Sequence, residues 1–312
     1  MMGLAWSDSL NGALLLDKPD GISSAGALNK LKGMLRSYGL RSRDLPKIGH
    51  GGTLDPFATG LLVVLVGHGT SLASHRLKDD KVYEGTIVFG EKTSSGDTET
   101  EVCERGIIPS FEDIEAKAKS MEGAYDQVPP MFSAKKIDGK RLYELARKGR
   151  EVERAPVPCR LSQFSIYRTD HPHEVKFKVS CSSGTFIRTL AEDLANGLGT
   201  VAHLRTLDRL ASGSFQKRGA FTIEDFQRMT ERKEDWTESG AFLGLKELLK
   251  DWPLFLIQPA EEPFLIQGRL DILQDLLADR QEEKMALIGK DGVLGLAHRK
   301  EEGWAFLRMF SR

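Results

Sequence analysis

The stretch Gly49-His50-Gly51-Gly52-Thr53-Leu54-Asp55-Pro56-Phe57-Ala58-Thr59-Gly60 runs straight into the apolar segment Leu61-Leu62-Val63-Val64-Leu65-Val66, and the rest of the chain is organised around this junction. Glycine lets the backbone adopt positive φ or approach a ligand with no Cβ in the way. Pro56 biases Asp55 toward an extended conformation. The segment reads as a stiff, tightly turned platform that holds out one carboxylate, Asp55, and one imidazole, His50, with a buried strand as its anchor. An isolated Asp-Pro is ordinarily a turn in which the aspartate bonds its own backbone. A chemical role for Asp55 therefore depends on what the remaining sequence places beside it.

Upstream, Gly12 to Leu16 is a second short apolar run that ends in Asp17-Lys18-Pro19, the pattern of a buried strand entering a turn. Ser23 or Ser24 then caps a helix with Leu28, Leu31 and Leu35 on one face, and Gly39 stops it. Downstream, Thr70 is expected to cap a short helix reaching about Leu77. Tyr83, Gly85, Ile87 and Phe89 alternate as one face of a strand, and the turn-rich segment Glu91 to Thr100 follows. A helix from about Ser110 turns Ile114, Ala118 and Met121 inward. Residues 128–160 hold Pro129-Pro130, a basic cluster and Pro156/Pro158, and are expected to form a mobile excursion with a helix at Leu142–Arg147. Val175, Phe177, Val179 and Cys181 alternate as another half-buried strand, which turns at Ser182-Ser183-Gly184 into a helix ended by Gly197. Residues 221–250 are acidic and expected to be helical on the outside. Beyond Pro253, Met285–Gly289, Val293–Ala297 and Trp304–Phe310 read as three short strands, the first two joined by the hairpin signal Lys290-Asp291-Gly292.

Over 312 residues, 40% hydrophobic and 29% charged side chains describe an ordinary soluble globular chain. Its apolar runs of about six residues fall far short of the roughly 20 needed to span a membrane, and Met1–Asn11 carries no secretory signal pattern. Cys103, Cys159 and Cys181 are odd in number and lack C-x-x-C spacing, which argues against a disulfide framework or a zinc site. A reducing, cytoplasmic setting and a monomer are expected. Net charge is −1, yet it is segregated. Residues 29–47 carry six basic side chains against one acid, residues 131–160 nine against four, and residues 221–283 fifteen acids against seven bases. Local basic surfaces on a nearly neutral molecule are the footprint of a polyanionic partner.

Seven collinear segments between about residues 12 and 215 carry a family resemblance. They are Leu14-Leu-Leu-Asp-Lys18-Pro19; the central Gly49–Gly60 stretch; Lys81-Val-Tyr83-Glu; Gln127-Val-Pro-Pro-Met-Phe-Ser133-Ala-Lys-Lys; Gly139-Lys-Arg-Leu-Tyr143-Glu-Leu-Ala-Arg; Ser182-Ser-Gly-Thr-Phe186-Ile-Arg188-Thr-Leu; and Ala202-His-Leu-Arg-Thr-Leu207-Asp-Arg. The chain resembles the TruB-type tRNA pseudouridine synthases, which isomerise uridine 55 of the T-arm. The resemblance implies that Asp55 is the catalytic aspartate, that Tyr83 stacks on the target base and takes part in moving its proton, and that Arg188 pairs with the catalytic carboxylate. It places His50 beside the flipped nucleotide and makes Leu207 an apolar wall. It further implies that the basic insertion at about 131–159 closes on the T-arm, and it likens the tail to a PUA module, an RNA-binding β domain. Phe186 stands where many relatives carry tyrosine, and the stretch 37–47 is longer than the family pattern.

The implied architecture is α+β. A mixed, mostly antiparallel sheet flanked by helices forms a catalytic domain over residues 1–253, and a PUA-like β module covers residues 254–312. Turning an N-glycosidic into a C-glycosidic link requires the uracil to detach, rotate and reattach within one pocket. A carboxylate near ribose and base can attack C1′ or C6, or remove the C2′ proton, and the sequence leaves these open. Neither electron transfer nor hydrolysis occurs, so no cofactor and no metal are expected; the glycines match neither G-x-G-x-x-G nor P-loop spacing. A base inside a folded loop has to be swung out, at a cost of a few kcal/mol regained from aromatic and apolar contacts. Lys18, Lys135, Lys136, Lys140 and Arg141 are the expected RNA-binding cations. Two other classes compete: an RNA-binding or tRNA-folding module with incidental catalysis, and a glycoside hydrolase. The hydrolase usually needs two carboxylates, of which the central loop supplies one. A pseudouridine synthase with a different RNA target is the nearest variant.

Overall fold

A continuous apolar run needs cover on both faces, and the two such runs in this chain find it together. In the computed structural model, which describes residues 10–131, 136–137, 140–141 and 152–310, β1 (Gly12–Lys18) is followed by α1 (Ser24–Ser37), β2 (Ile48–His50) and β3 (Thr59–Val66). β1 and β3 pair antiparallel, from Gly12 opposite Val66 to Lys18 opposite Gly60. Leu14, Leu16, Leu62, Val64 and Val66 point to one face, into a core shared with Leu28, Leu31 and Leu35 of α1. Ala13, Leu15, Leu61, Val63 and Leu65 point to the other, against Leu248, Leu249 and Trp252 and against Ala286 and Leu296 of the C-terminal module. Each fully buried leucine contributes on the order of 2 kcal/mol, so this strand pair anchors two cores at once. Ser23 caps α1, its side chain accepting from Gly26 N, and Gly39 follows the helix at φ +88°.

The remaining strands are β4 (Lys81–Phe89), β5 (Glu91–Thr93), β6 (Val102–Arg105), β7 (Gly123–Gln127), β8 (Lys136–Ile137), β9 (Lys140–Arg141), β10 (Val157–Arg168), β11 (Glu174–Cys181), β12 (Ala202–Ser212), β13 (Phe215–Gln216) and β14 (Phe242–Gly244). The main sheet runs β14-β1-β3-β12-β4-β11-β10-β7, with β2 added to β3 and β13 to β12. Every pairing in it is antiparallel except the short β3–β12 contact at Thr59–Asp208 and Gly60–Arg209. Gly60, at φ +100°, is obligatory there, since a Cβ would lie 2.5 Å from the Arg209 carbonyl oxygen. α2 (Phe111–Ser120), α3 (Ile187–Asn196) and α4 (Ile223–Glu231) pack on the sheet and complete the α+β architecture. A second sheet, β15 (Leu254–Leu256), β16 (Lys284–Gly289), β17 (Gly292–Lys300) and β18 (Gly303–Met309), lies in the C-terminal part, with β15 parallel to β16 and the rest antiparallel. No helix among the described residues is long and apolar enough to cross a membrane.

Several local expectations are corrected. Thr70 caps nothing: its hydroxyl donates to Gly67 O inside a 3₁₀ turn, and the helix that follows is only Ala73–Arg76. Residues 221–250 are helical only in part, at α4 and at Leu245–Leu248. They also bury Phe226, Trp236 and Leu248 and supply β14, the edge strand beside β1, so the segment contributes to the core as well as to the surface. The excursion expected to reach Arg160 ends sooner, because β10 begins at Val157 and pairs with β7. The helix expected at Leu142–Arg147 lies outside the described residues.

Candidate active site

Between β2 and β3 the backbone of the central loop is held almost group by group. Gly51 N donates to Val63 O at 2.9 Å, Gly21 N to Pro56 O at 3.0 Å and Ala58 N to Asp55 O at 3.2 Å. Ser24 Oγ, at the start of α1, accepts from Leu54 N at 2.8 Å and donates to Leu54 O at 2.9 Å. From the other side, Arg209 of β12 donates to Gly52 O at 3.1 Å, Thr53 O at 3.3 Å and Leu61 O at 2.7 Å. With its main chain fixed on both flanks, the loop presents the Asp55 side chain as its open functional group, 36% exposed.

Arg188, the second residue of α3, meets that carboxylate: its Nε lies 2.9 Å from Asp55 Oδ2. The same guanidinium donates through Nη1 to Ser95 O at 2.7 Å and lies 3.5 Å from Asp97 Oδ2. Asp97 is buried and held in turn. Its Oδ1 accepts from the Ser95 hydroxyl and from Glu99 N, while Thr93 Oγ1 donates to its carbonyl at 2.6 Å. Gly96, at φ +74°, makes the turn that closes this cluster. Burial pushes the Asp55 carboxyl above its ordinary value; Arg188 pulls it back, Asp97 adds to the rise and Lys18 opposes it. The guanidinium therefore governs how much of Asp55 is ionised.

Tyr83 on β4 stands opposite Arg209 on β12, and Leu207 stands opposite Gly85 on the same face; Tyr83 and Leu207 are both buried. Burial raises the Tyr83 pKa, and the nearby Arg209 guanidinium opposes that rise. His50 ends β2, and its buried Nδ1 has no hydrogen-bond partner among the described residues. Burial, and then Arg209, lower its pKa, so the ring is neutral at neutral pH. Arg209 is thus a buried fork, opposite Tyr83 in the sheet, that holds the loop. Arg209→Met would leave three carbonyls without their donor. It is expected to cost at least about 3 kcal/mol, read as a lower denaturant midpoint at unchanged slope.

Lys18 departs from its expected role. It is fully buried, and its ammonium donates to Pro19 O at 2.8 Å, Ile22 O at 2.7 Å and Pro56 O at 3.1 Å. All three protons are spoken for, so Lys18 braces the loop rather than presenting a cation to RNA. Desolvation lowers its pKa to about 8. Lys136, Lys140 and Arg141 fall on the short β8–β9 hairpin; their side chains, and Lys135 altogether, lie outside the described residues. Among the described residues no group of three or more His, Cys, Asp or Glu side chains is placed to hold a metal ion.

Comparison with known proteins places this geometry. Residues 40–187 match the TruB family pseudouridylate synthase N-terminal domain, and residues 188–263 the tRNA pseudouridylate synthase B C-terminal domain. The tRNA pseudouridine synthase B of Syntrophotalea carbinolica is 35% identical over 294 residues, 92% of each chain. The chain belongs to the TruB family. That of Psychrobacter cryohalolentis is 39% identical over 222 residues, 70% of this chain and 61% of the relative, so the match spans about three fifths of that protein's length. Among solved structures, a chain of a Cbf5-Nop10-Gar1 complex superposes with a TM-score of 0.69 over 99% of this chain and 86% of its own. At 20% identity that likeness speaks for the fold.

Within this TruB fold, Asp55 and Arg188 meet from a loop and a helix far apart in sequence, and Tyr83 stands opposite Arg209, which holds that loop. Three residues that complete the arrangement had no assigned role in the sequence. Asp97 lay in a segment legible only as turns. Arg209 closed the last family segment without a partner in view. Gln127 opened another segment, with no contact in view.

Proposed function

We propose that this protein isomerises a uridine of tRNA to pseudouridine, that the target lies in the T-arm, and that Asp55 is the catalytic group. The observation that carries the proposal is the 2.9 Å contact between Arg188 Nε and a carboxylate that is still open to solvent, in a chain of the TruB family. In the isomerisation the C1′–N1 bond breaks, a C1′–C5 bond forms, and the C5 proton is replaced by one on N1. The balance requires neither an electron acceptor nor a second substrate. Asp55 acts in its ionised form whether it attacks C1′ or C6 or takes the C2′ proton. Arg188 preserves that form against desolvation. Tyr83 stacks on the uracil, Leu207 gives an apolar wall, and neutral His50 lines the pocket beside the swung-out nucleotide.

Affinity for folded RNA comes chiefly from phosphates and shape, which suits the basic segment containing Lys135, Lys136, Lys140 and Arg141. The four-stranded C-terminal sheet is assigned, as a PUA-like module, to the same task. Carbodiimide-blocked primer extension on a tRNA transcript treated with purified protein is expected to give one new stop in the T-loop. A stop elsewhere in the tRNA would overturn the T-arm assignment, and no stop with any tRNA would overturn the activity.

A further inference from the structure

Gln127 is a buried polar side chain, at 1% exposure, outside the site described above. It is the last residue of β7. Its amide grips the backbone of Phe186 at both ends: Phe186 N donates to Gln127 Oε1 at 2.7 Å, and Gln127 Nε2 donates to Phe186 O at 3.0 Å. Nε2 also contacts the Tyr125 hydroxyl, which reaches Asp193 Oδ2 at 3.5 Å. Two alternate residues of one edge strand therefore hold α3 at its N-terminus and at its seventh residue. Phe186 is the N-cap of α3 and has no side chain able to cap it. A main-chain position that most often relies on its own side chain is fixed here by a glutamine from another strand.

Two residues beyond this clamp stands Arg188. Its fork spans Asp55 Oδ2 and the Ser95–Asp97 turn with contacts of 2.7 to 3.5 Å. A guanidinium so near a helix N-terminus is opposed by the helix dipole, so it gains nothing from its own helix and depends on its angle of entry. We infer that Gln127 is a positioning residue for the reaction: by pinning both polar groups of Phe186 it sets the first turn of α3, and through it the approach of Arg188 to Asp55. The inference rests on the roles of Asp55 and Arg188 proposed above.

Gln127→Glu tests it, because the acid keeps the size and one acceptor but can donate to Phe186 O only when protonated. Such a carboxyl, desolvated and facing a carbonyl oxygen, titrates well above its ordinary range. With single-turnover rates on a tRNA transcript, the variant is expected to lose about tenfold or more in rate at pH 8.5, with its tRNA Kd within twofold of the parent. The deficit relative to the parent is expected to shrink as pH falls toward 6, because the protonated acid regains the donor to Phe186 O and with it the placement of Arg188. A rate within twofold of the parent at every pH, or a deficit that stays constant with pH, overturns the inference while leaving the function intact. A parent protein that forms no pseudouridine removes the function and this inference together. If the acid does not fold, Gln127→Met removes both arms at similar volume. The expected result is then a rate loss at all pH values with Kd unchanged, and equal losses in rate and affinity overturn the inference.

Discussion

Asp55→Asn is expected to lower the rate of pseudouridine formation by at least about a thousandfold while leaving tRNA affinity within a few fold. Asparagine preserves the shape of the side chain, and the loop that carries it is fixed through its main chain by Ser24, Arg209 and Lys18. The platform and its RNA-facing surface therefore survive the change. What is lost is the charge, and neutral amide oxygen neither attacks carbon nor accepts a C2′ proton. Stability moves the other way. Burial holds the Asp55 carboxyl above its ordinary value, so the native state binds the proton more tightly than the unfolded chain. Stability from this group is then fullest below the unfolded carboxylate range and is lost as pH rises through the folded value. Asp55→Asn is accordingly expected to have a higher Tm than the parent at pH 7.5, with the difference closing as pH falls to about 4. Such a gain bought at the expense of turnover is the pattern of an active-site group. Residual conversion within tenfold of the parent, or a collapse in affinity matching the loss of rate, would remove Asp55 from its role.

Why some of this was legible in the sequence and some was not follows from the elements themselves. β4 and β11 alternate cleanly because one face of each is core, and Tyr83, Ile87, Val175, Phe177 and Val179 mark it. β1 and β3 read as buried because both faces are covered. β12 did not read as a strand, since Arg205, Asp208 and Arg209 interrupt its pattern and two bulges, near Thr206 and Ala211, break its period. Each charge there answers to something distant in sequence: Arg205 to Glu174, Asp208 to Thr59 and Lys217, Arg209 to the loop carbonyls. The candidate site divides in the same way. Asp55, Tyr83 and Arg188 stood in family segments, whereas Lys18 stood in one and was misread. Its charge pointed to RNA, but three carbonyls close enough to occupy all its protons are a tertiary fact. Asp97 and Gln127 act on backbone and on another side chain, and such contacts leave no periodicity or spacing to find.

Arg188→Lys should show how much of the chemistry depends on the geometry of a cation rather than on its charge. Lysine keeps the positive charge and much of the length but carries its three donors on one nitrogen in place of a planar fork. Arg188 uses separate nitrogens for Asp55 and for the Ser95–Asp97 turn, and an ammonium cannot face both with that spacing. Two carboxylates would then compete for one nitrogen's position, and Asp97, the more deeply buried, is the one it would satisfy first. Asp55 is left to its desolvation. The expected single-turnover rate at neutral pH is lower by about two to three orders of magnitude, and the acid limb of the pH–rate profile moves to higher pH because the ionised form of Asp55 is less favoured. Arg188→Met, with no charge at all, is expected to move that limb further in the same direction. Affinity for tRNA should change little in either variant, since the Arg188 side chain is only 6% exposed and lies between Asp55 and Asp97. The ordering of the two variants is the decisive measurement. If lysine restores the parent profile, charge alone suffices and the fork has no role. If both variants lose rate with no movement of the acid limb, Arg188 does not control the ionisation of Asp55.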